Sequence, residues 1–273
     1  MTELKRALPE YRTPPVSEVV LGVEFSPLTK WHLGHFGMLH EQVASEYPKF
    51  EVHPIIRSSI EKFGSESWQQ VSNFELLDVG EVRCWYIAQD DSRLVQVQRD
   101  RFIVNWRKRN DAQPYPRYEA QILPTFKREW SRYGDFLSQQ GIEIPEVRQC
   151  EVTYVNDIPR GQGWDKFSDV MKLITPLREM QNGKFLPEPE TLRATFTYVM
   201  PPDRGRLHVN IHHVRRSLDE AEVIQLRLTA RGAPRSGGMQ DVIEWLDSGR
   251  EWVVRGFTDF TTKEAHDLWE RTQ

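Results

Sequence analysis

Val82-Arg-Cys-Trp-Tyr-Ile-Ala88, Arg93-Leu-Val-Gln-Val-Gln98 and Arg101-Phe-Ile-Val-Asn-Trp-Arg107 decide the fold. Each run is rich in β-branched and aromatic residues, which suit a pleated backbone. Asp90-Asp91-Ser92 supplies turn chemistry between the first two runs, and Arg99-Asp100 joins the second to the third. An unbroken strand through both would put Val97 and Ile103 on one face and Phe102 and Trp106 on the other. A hairpin at Arg99-Asp100 removes that conflict. Three strands in succession with short turns pair antiparallel.

A strand and a helix precede this run, and a helix follows it. Val16-Ser-Glu-Val-Val-Leu-Gly-Val-Glu-Phe25 reads as a mostly buried strand, ended by Pro27. Thr29 is placed to cap a helix in which Leu33, Phe36, Leu39, Val43 and Tyr47 share a face, and Pro48 stops it. Between Phe50 and Asn73 the apolar residues keep no clear period, so a short strand and a loop are expected. Downstream, Tyr118, Ile122, Phe126, Trp130, Tyr133 and Leu137 form a helical stripe. Pro124 predicts a kink or a start near Leu123, and Gly141 a C-terminal cap.

The second half repeats the order. In Arg148–Asn156, Cys150, Val152 and Tyr154 alternate with Gln149, Glu151, Thr153 and Val155. Phe167, Val170, Met171 and Ile174 predict a short helix closed by Pro176. Strands are expected over Thr191–Met200, Arg206–Val214 and Val223–Ala230. A helix from Met239 to Arg255 is expected to end at Gly256, with Thr261 and Glu264 as a capping box for a last short helix. The fold class is therefore α+β: an N-terminal extension (1–15) and two strand-helix-three-strand-helix units, 16–144 and 145–273, packed as one pseudo-symmetric body. Antiparallel strands form one sheet or two, with the helices on one face. This element order resembles the duplicated TATA-box-binding-protein-like arrangement, an analogy of fold that carries no function.

The 273 residues are enough to bury a substantial core, and 28% charged with 11% aromatic residues marks an ordered globular chain. A net charge of −4 argues against wholesale binding of polyanions. Cys84 and Cys150 lie in strand-like runs and are expected as buried thiols. No stretch approaches the roughly 18 apolar residues of a membrane span, and the first residues lack the apolar core of a secretory signal, so a cytoplasmic location and no membrane partner are expected.

Chemistry-bearing groups are few. His208 and His212 share a strand face with Asn210 between them, but lie ~13 Å apart, too far to ligate one ion. His32 and His35 sit one helical turn apart without a Cys or a nearby carboxylate, and pack as a helix edge. No nucleophile elbow is present, Gly161-Gln-Gly163 is too short to cradle phosphate, and neither a metal nor a cofactor is implied. Two clusters carry binding potential. Arg99, Arg101, Asn105, Trp106 and Arg107 come from one hairpin, where arginine with an aromatic residue can clamp a partner. Its plain alternative is a charged edge strand whose arginines pair with nearby Asp residues. Arg250, Trp252 and Arg255 form the second, equally explained by a helix dipole and an apolar stripe.

Leu8-Pro-Glu-Tyr-Arg12, Pro14-Pro-Val16, Val19-Val-Leu-Gly-Val23, Gln96-Val-Gln-Arg-Asp-Arg-Phe102, Asn105-Trp-Arg107, Cys150-Glu-Val-Thr-Tyr-Val-Asn156 and Arg250-Glu-Trp-Val-Val-Arg-Gly-Phe-Thr258 resemble a sporadically distributed, uncharacterised bacterial protein family. The resemblance spans nearly the whole chain, with the last block the most specific. It implies a bacterial cytoplasmic protein and brings no catalytic residues. Patchy distribution fits an accessory component of the toxin–antitoxin or phage-defence kind.

The chain is accordingly read as a non-enzymatic binding or regulatory protein that meets a protein partner through the polar sheet face or the helix-free edge, with the hairpin arginines and Trp106 as anchors. One alternative is a nucleic-acid-binding protein using the hairpin 93–109. Another is a small-ligand binder or enzyme with its site between sheet and helices.

Overall fold

Along the first strand, β1 (Val16–Phe25), Val19, Leu21, Val23 and Phe25 are buried and alternate with Glu18, Val20, Gly22 and Glu24. That alternation divides the molecule into a helix-covered face and a polar face. The computed structural model describes residues 7–58, 60–63, 81–177, 185–202 and 204–273. Among them the remaining strands are β2 (Lys49–His53), β3 (Arg83–Ile87), β4 (Arg93–Gln98), β5 (Arg101–Arg107), β6 (Val147–Pro159), β7 (Arg193–Met200), β8 (Gly205–Arg215) and β9 (Glu222–Gly232). The helices are α1 (Leu33–Val43), α2 (Leu123–Gln139), α3 (Phe167–Leu173), α4 (Met239–Phe260) and α5 (Lys263–Leu268).

All nine strands form one antiparallel sheet in the order β2-β3-β4-β5-β1-β6-β9-β8-β7. The fold is α+β, and one continuous sheet resolves the choice between one sheet and two. Its centre is the pairing of β1 with β6, in which Leu21 faces Val152 and Val23 faces Cys150. The hairpin at Arg99-Asp100 is present, with Val97 opposite Phe102 and Val95 opposite Val104.

One apolar layer lies between the sheet and the helices. Phe102 of β5 stacks on Tyr133 of α2 at 5.0 Å and meets Trp130 edge-on at 5.4 Å. Tyr86 of β3 donates to the Phe36 carbonyl of α1. Phe196 of β7 packs edge-on against Phe260 of α4. Both cysteines are buried in this layer, and burial pushes the Cys84 thiol up to about 12. No helix of the described residues is long and apolar enough to cross a membrane.

Several helix ends differ from those the sequence suggests. α1 starts at Leu33 rather than after Thr29, because the His35 imidazole accepts from the His32 backbone N–H and so caps the first turn. This end-cap accounts for the histidine pair, whose rings lie 3.7 Å apart. The stripe at 118–137 is not one regular helix: Tyr118–Ile122 is a π-helical turn, and α2 begins at Leu123 with Pro124 in its first turn. Gly256 does not end α4, which runs on to Phe260. A Cβ at Gly256 would stand 2.7 Å from Leu207 Cδ2, so this glycine sets how closely α4 lies on β8. The last helix is capped by Thr262, not Thr261, through its Oγ1 and the Ala265 N–H. Part of the stretch from Phe50 to Asn73 lies outside the described residues. Of the N-terminal extension, Glu10 and Arg12 hydrogen-bond the chain's last residues, Arg12 N–H to Glu270 O at 3.1 Å.

The end of β9 tests the closeness of this packing. A Cβ at Gly232 would sit 2.1 Å from the Arg204 carbonyl oxygen and 2.6 Å from Gly205 Cα, both backbone atoms that cannot rotate away. Gly232→Ala is expected to lower stability by about 1–3 kcal/mol, as overpacking does. Urea denaturation measures this, and an unchanged midpoint would contradict it.

Candidate functional site

The face of the sheet that carries no helices is a field of paired polar side chains. Its register sets Gln98, Arg101, Glu24 and Gln149 side by side across β4, β5, β1 and β6. Arg101 and Glu24 form an ion pair of 2.5 Å with both side chains less than a tenth exposed. Gln149 adds a second donor to the same carboxylate at 3.2 Å. Two residues along, a directed chain of donors runs from Arg83 to Gln96 at 2.9 Å, from Gln96 to Asn105 at 2.7 Å, and from Asn105 to Glu18 at 2.6 Å. Burial raises the Glu18 carboxyl above its ordinary value, opposed by the Asn105 hydrogen bond and by Arg227 and Arg107. Trp85 stacks on His53 at 3.9 Å and carries the guanidinium groups of Arg83 and Arg107 at 5.3 and 5.6 Å. On the other half, Thr153 and Thr229 share a hydrogen bond, and Arg231 pairs with Glu151 at 2.8 Å.

Across these strands lies a segment of the chain itself, residues 54–58 and 60–63. Gln98 reads both sides of one residue: its Oε1 accepts from Ile56 N–H at 3.0 Å and its Nε2 donates to Ile56 O at 2.9 Å. Ser58 donates to Glu24, and Arg101 reaches the Arg57 carbonyl at 3.5 Å. Gln149 Oε1 accepts from Glu61 N–H at 2.8 Å. The Glu61 carboxylate then takes Arg206 at 2.5 Å and His208 at 2.6 Å. Arg206 also donates to the Lys62 carbonyl and lies over the Phe63 ring at 4.3 Å. Burial alone would raise the Glu61 carboxyl, but hydrogen bonds from His208 and Arg206 outweigh it and hold it below its ordinary value. Side chains of β4, β5, β1, β6 and β8 thus meet these residues, chiefly by reading their backbone.

The residues singled out in the sequence divide among three places. Arg101, Asn105 and Arg107 stand on the polar face, but each is engaged within the chain: Arg101 by Glu24, Asn105 by Glu18, and Arg107 by Trp85 and the Asp91 carbonyl. Arg99 sits at the rim, donating to the Leu28 carbonyl and lying 3.8 Å from Glu81. Trp106 does not join them. Strand alternation turns it to the helix side, where it is buried and meets Tyr115 edge-on at 5.9 Å. The hairpin arginines and Trp106 therefore do not make one clamp. Arg250, Trp252 and Arg255 lie on α4: Arg250 over the Tyr118 ring at 4.6 Å, Trp252 half-buried against the core, Arg255 with Glu251 at 2.9 Å. Sequence reasoning missed Gln98, Gln149, Glu61 and Arg206. A usable signal existed for Gln98, in the alternation of glutamine with valine along Val95–Gln98, since a buried amide needs partners.

No protein-family model matches the chain, and no curated protein does.

The ion pair of Arg101 and Glu24 is part of the molecule's framework. Arg101→Ala would leave a buried carboxylate with its cation removed, a loss of about 3–5 kcal/mol. Trp106→Ala would open a core cavity of similar cost, about 3–5 kcal/mol. Chemical denaturation of each single variant checks both values. A loss below about 1 kcal/mol at Arg101 would return that residue to the role of a surface anchor.

Proposed function

We propose that this chain is a non-enzymatic protein-binding module whose helix-free sheet face holds an extended polypeptide segment. The observation that carries this reading is the docking of residues 54–58 and 60–63. Gln98 and Gln149 bond backbone N–H and C=O groups, so their contacts accept any residue in an extended course. Arg206 and His208 add selection for an acidic side chain at one position. A partner segment of the same chemistry, extended and carrying a carboxylate, can use these groups in exchange with the resident segment. Charge-assisted hydrogen bonds of the Arg206–Glu61 kind are the strong ones, and the flanking amide contacts supply register.

The strand order supports a second part of the reading, that the chain is two like units in a TATA-box-binding-protein-like arrangement. β1 and β6 lie at the centre, and each is flanked outward by the last strand of its own unit, β5 then β4 and β9 then β8. Protein is favoured over nucleic acid as the partner because the cations of the hairpin are already committed to Glu24, Trp85 and backbone carbonyls.

A labelled peptide carrying the sequence His53–Phe63 tests the proposal in fluorescence anisotropy. The recipient is the full chain with Glu61→Ala, whose own segment has lost its acidic anchor. The expected result is saturable binding that weakens at least tenfold when Arg206→Ala is added and depends weakly on salt. Failure to bind, or equal binding without Arg206, overturns the reading. Tight binding of a single-stranded oligonucleotide, lost at high salt, would reassign the face to nucleic acid.

A further inference from the structure

Among the described residues the sheet ends in two edge strands, β2 and β7, that differ in chemistry. β2 is bracketed by Pro48 and Pro54, and it carries Lys49, Glu51 and His53. Prolines and charges of this kind keep an edge strand from pairing with another chain. β7 has no such defence. From Ala194 to Met200 it holds no charged residue, proline or glycine, and Thr195–Val199 are all β-branched or aromatic. Thr195, Thr197, Tyr198 and Val199 are exposed, and no described strand lies on its outer side. The most exposed large apolar side chains among the described residues, Phe185 and Leu186, lie in the loop that leads into it.

The register shows which backbone groups of β7 are unused. Arg193 lies opposite His212, and one step back the Leu192 carbonyl accepts from His213 N–H at 2.9 Å. Bonded and non-bonded pairs alternate along an antiparallel ladder. Ala194, Phe196 and Tyr198 therefore turn their N–H and C=O groups to β8, and Thr195, Thr197 and Val199 turn theirs outward. On the helix side Phe196 and Tyr198 meet Phe260 edge-on at 5.3 and 5.8 Å, and Tyr198 stays 43% exposed at the rim of this aromatic group.

We propose that β7 pairs with β7 of a second copy of this chain, antiparallel across a two-fold axis at Thr197. In that register Thr197 meets its own counterpart and Thr195 meets Val199, so the outward N–H and C=O groups of all three residues gain complements. Residues directly opposite share a face, so Phe196 comes beside Tyr198 of the second copy on the helix side, an aromatic cross-strand pair next to Phe260. The charge pattern selects a second copy as the occupant. A charge on a self-paired strand is repeated across the axis at close range, and Ala194–Met200 has none. Arg193 falls outside the ladder, opposite Pro201. The axis stands normal to the sheet, so two nine-stranded sheets continue as one and both polar faces look the same way.

Sedimentation velocity of the full chain, from micromolar to near-millimolar concentration, tests this. The expected result is a reversible dimer. Thr197→Lys sets two ammonium groups against each other at the axis and is expected to weaken the dimer at least tenfold. Thr197→Val loses the same hydrogen bond to His208 but keeps the edge uncharged, and is expected to leave the dimer intact. Val52→Lys, at an exposed position of β2, is expected to leave it intact as well. Thr197→Cys gives an independent reading, since the Cα atoms of a bonded pair lie ~5.5 Å apart, within reach of a disulfide. Oxidation is expected to link this variant into dimers and to leave Val52→Cys unlinked; the native Cys84 and Cys150 are buried and do not compete. A dimer unmoved by Thr197→Lys, or no cross-link in Thr197→Cys, overturns the proposal. A monomer at every concentration overturns it too, and leaves the edge to a strand of a different protein.

Discussion

The pairing of β1 with β6 is the interaction on which the rest depends. These strands come from opposite halves of the chain, yet they run antiparallel in one register from Glu18 opposite Val155 to Glu24 opposite Gln149, with a register shift beyond each end. With β5 on the far side of β1 and β9 on the far side of β6, neither central strand has an open edge. The pairing also aligns the two polar faces. Without it Glu24 and Gln149 would not share a carboxylate–amide contact, and Arg206 could not meet a segment that starts above β4. Side chains of β4, β5, β1, β6 and β8 can meet one segment only because the halves form one sheet.

That surface follows an electrostatic logic. Cations and anions on it are matched within the chain: Arg101 with Glu24, Arg231 with Glu151, Arg206 with Glu61. Such matching suppresses a long-range field and favours short-range, geometric recognition. Amide side chains of Gln98 and Gln149 then bond the backbone of Ile56 and Glu61 without charge. The helix side works differently. It is an aromatic layer, with buried polar groups at Glu129 and Tyr47 and at the Tyr115–Tyr154 pair.

Much of this was legible in the residues. Alternation in Arg148–Asn156 sent Cys150, Val152 and Tyr154 to the core, and the parity conflict between Val97 and Phe102 located a hairpin. Both follow from local geometry, which a sequence carries directly. The segment after β2 was not legible, because its contacts come from its own backbone N–H and C=O groups, which leave no hydrophobic period. The sequence offered Arg101 as an anchor or as paired with a nearby Asp, and missed its partner Glu24, which lies on a different strand far earlier in the chain. Gly256 looked like a helix end, whereas its lack of a side chain serves close packing on Leu207. The Tyr115–Tyr154 contact was equally hidden, since its loop and strand meet only in the folded chain.

Amide hydrogen exchange resolved by residue tests the central claim most directly, namely that side chains of the sheet hold Ile56 and Glu61 in place. The Ile56 and Glu61 amides, bonded to Gln98 and Gln149, should exchange slowly in the native chain. In a Gln98→Leu, Gln149→Leu variant they should exchange far faster, while Leu21 and Val152 in the central pairing stay protected. Rapid exchange at Ile56 and Glu61 in the native chain would contradict the account.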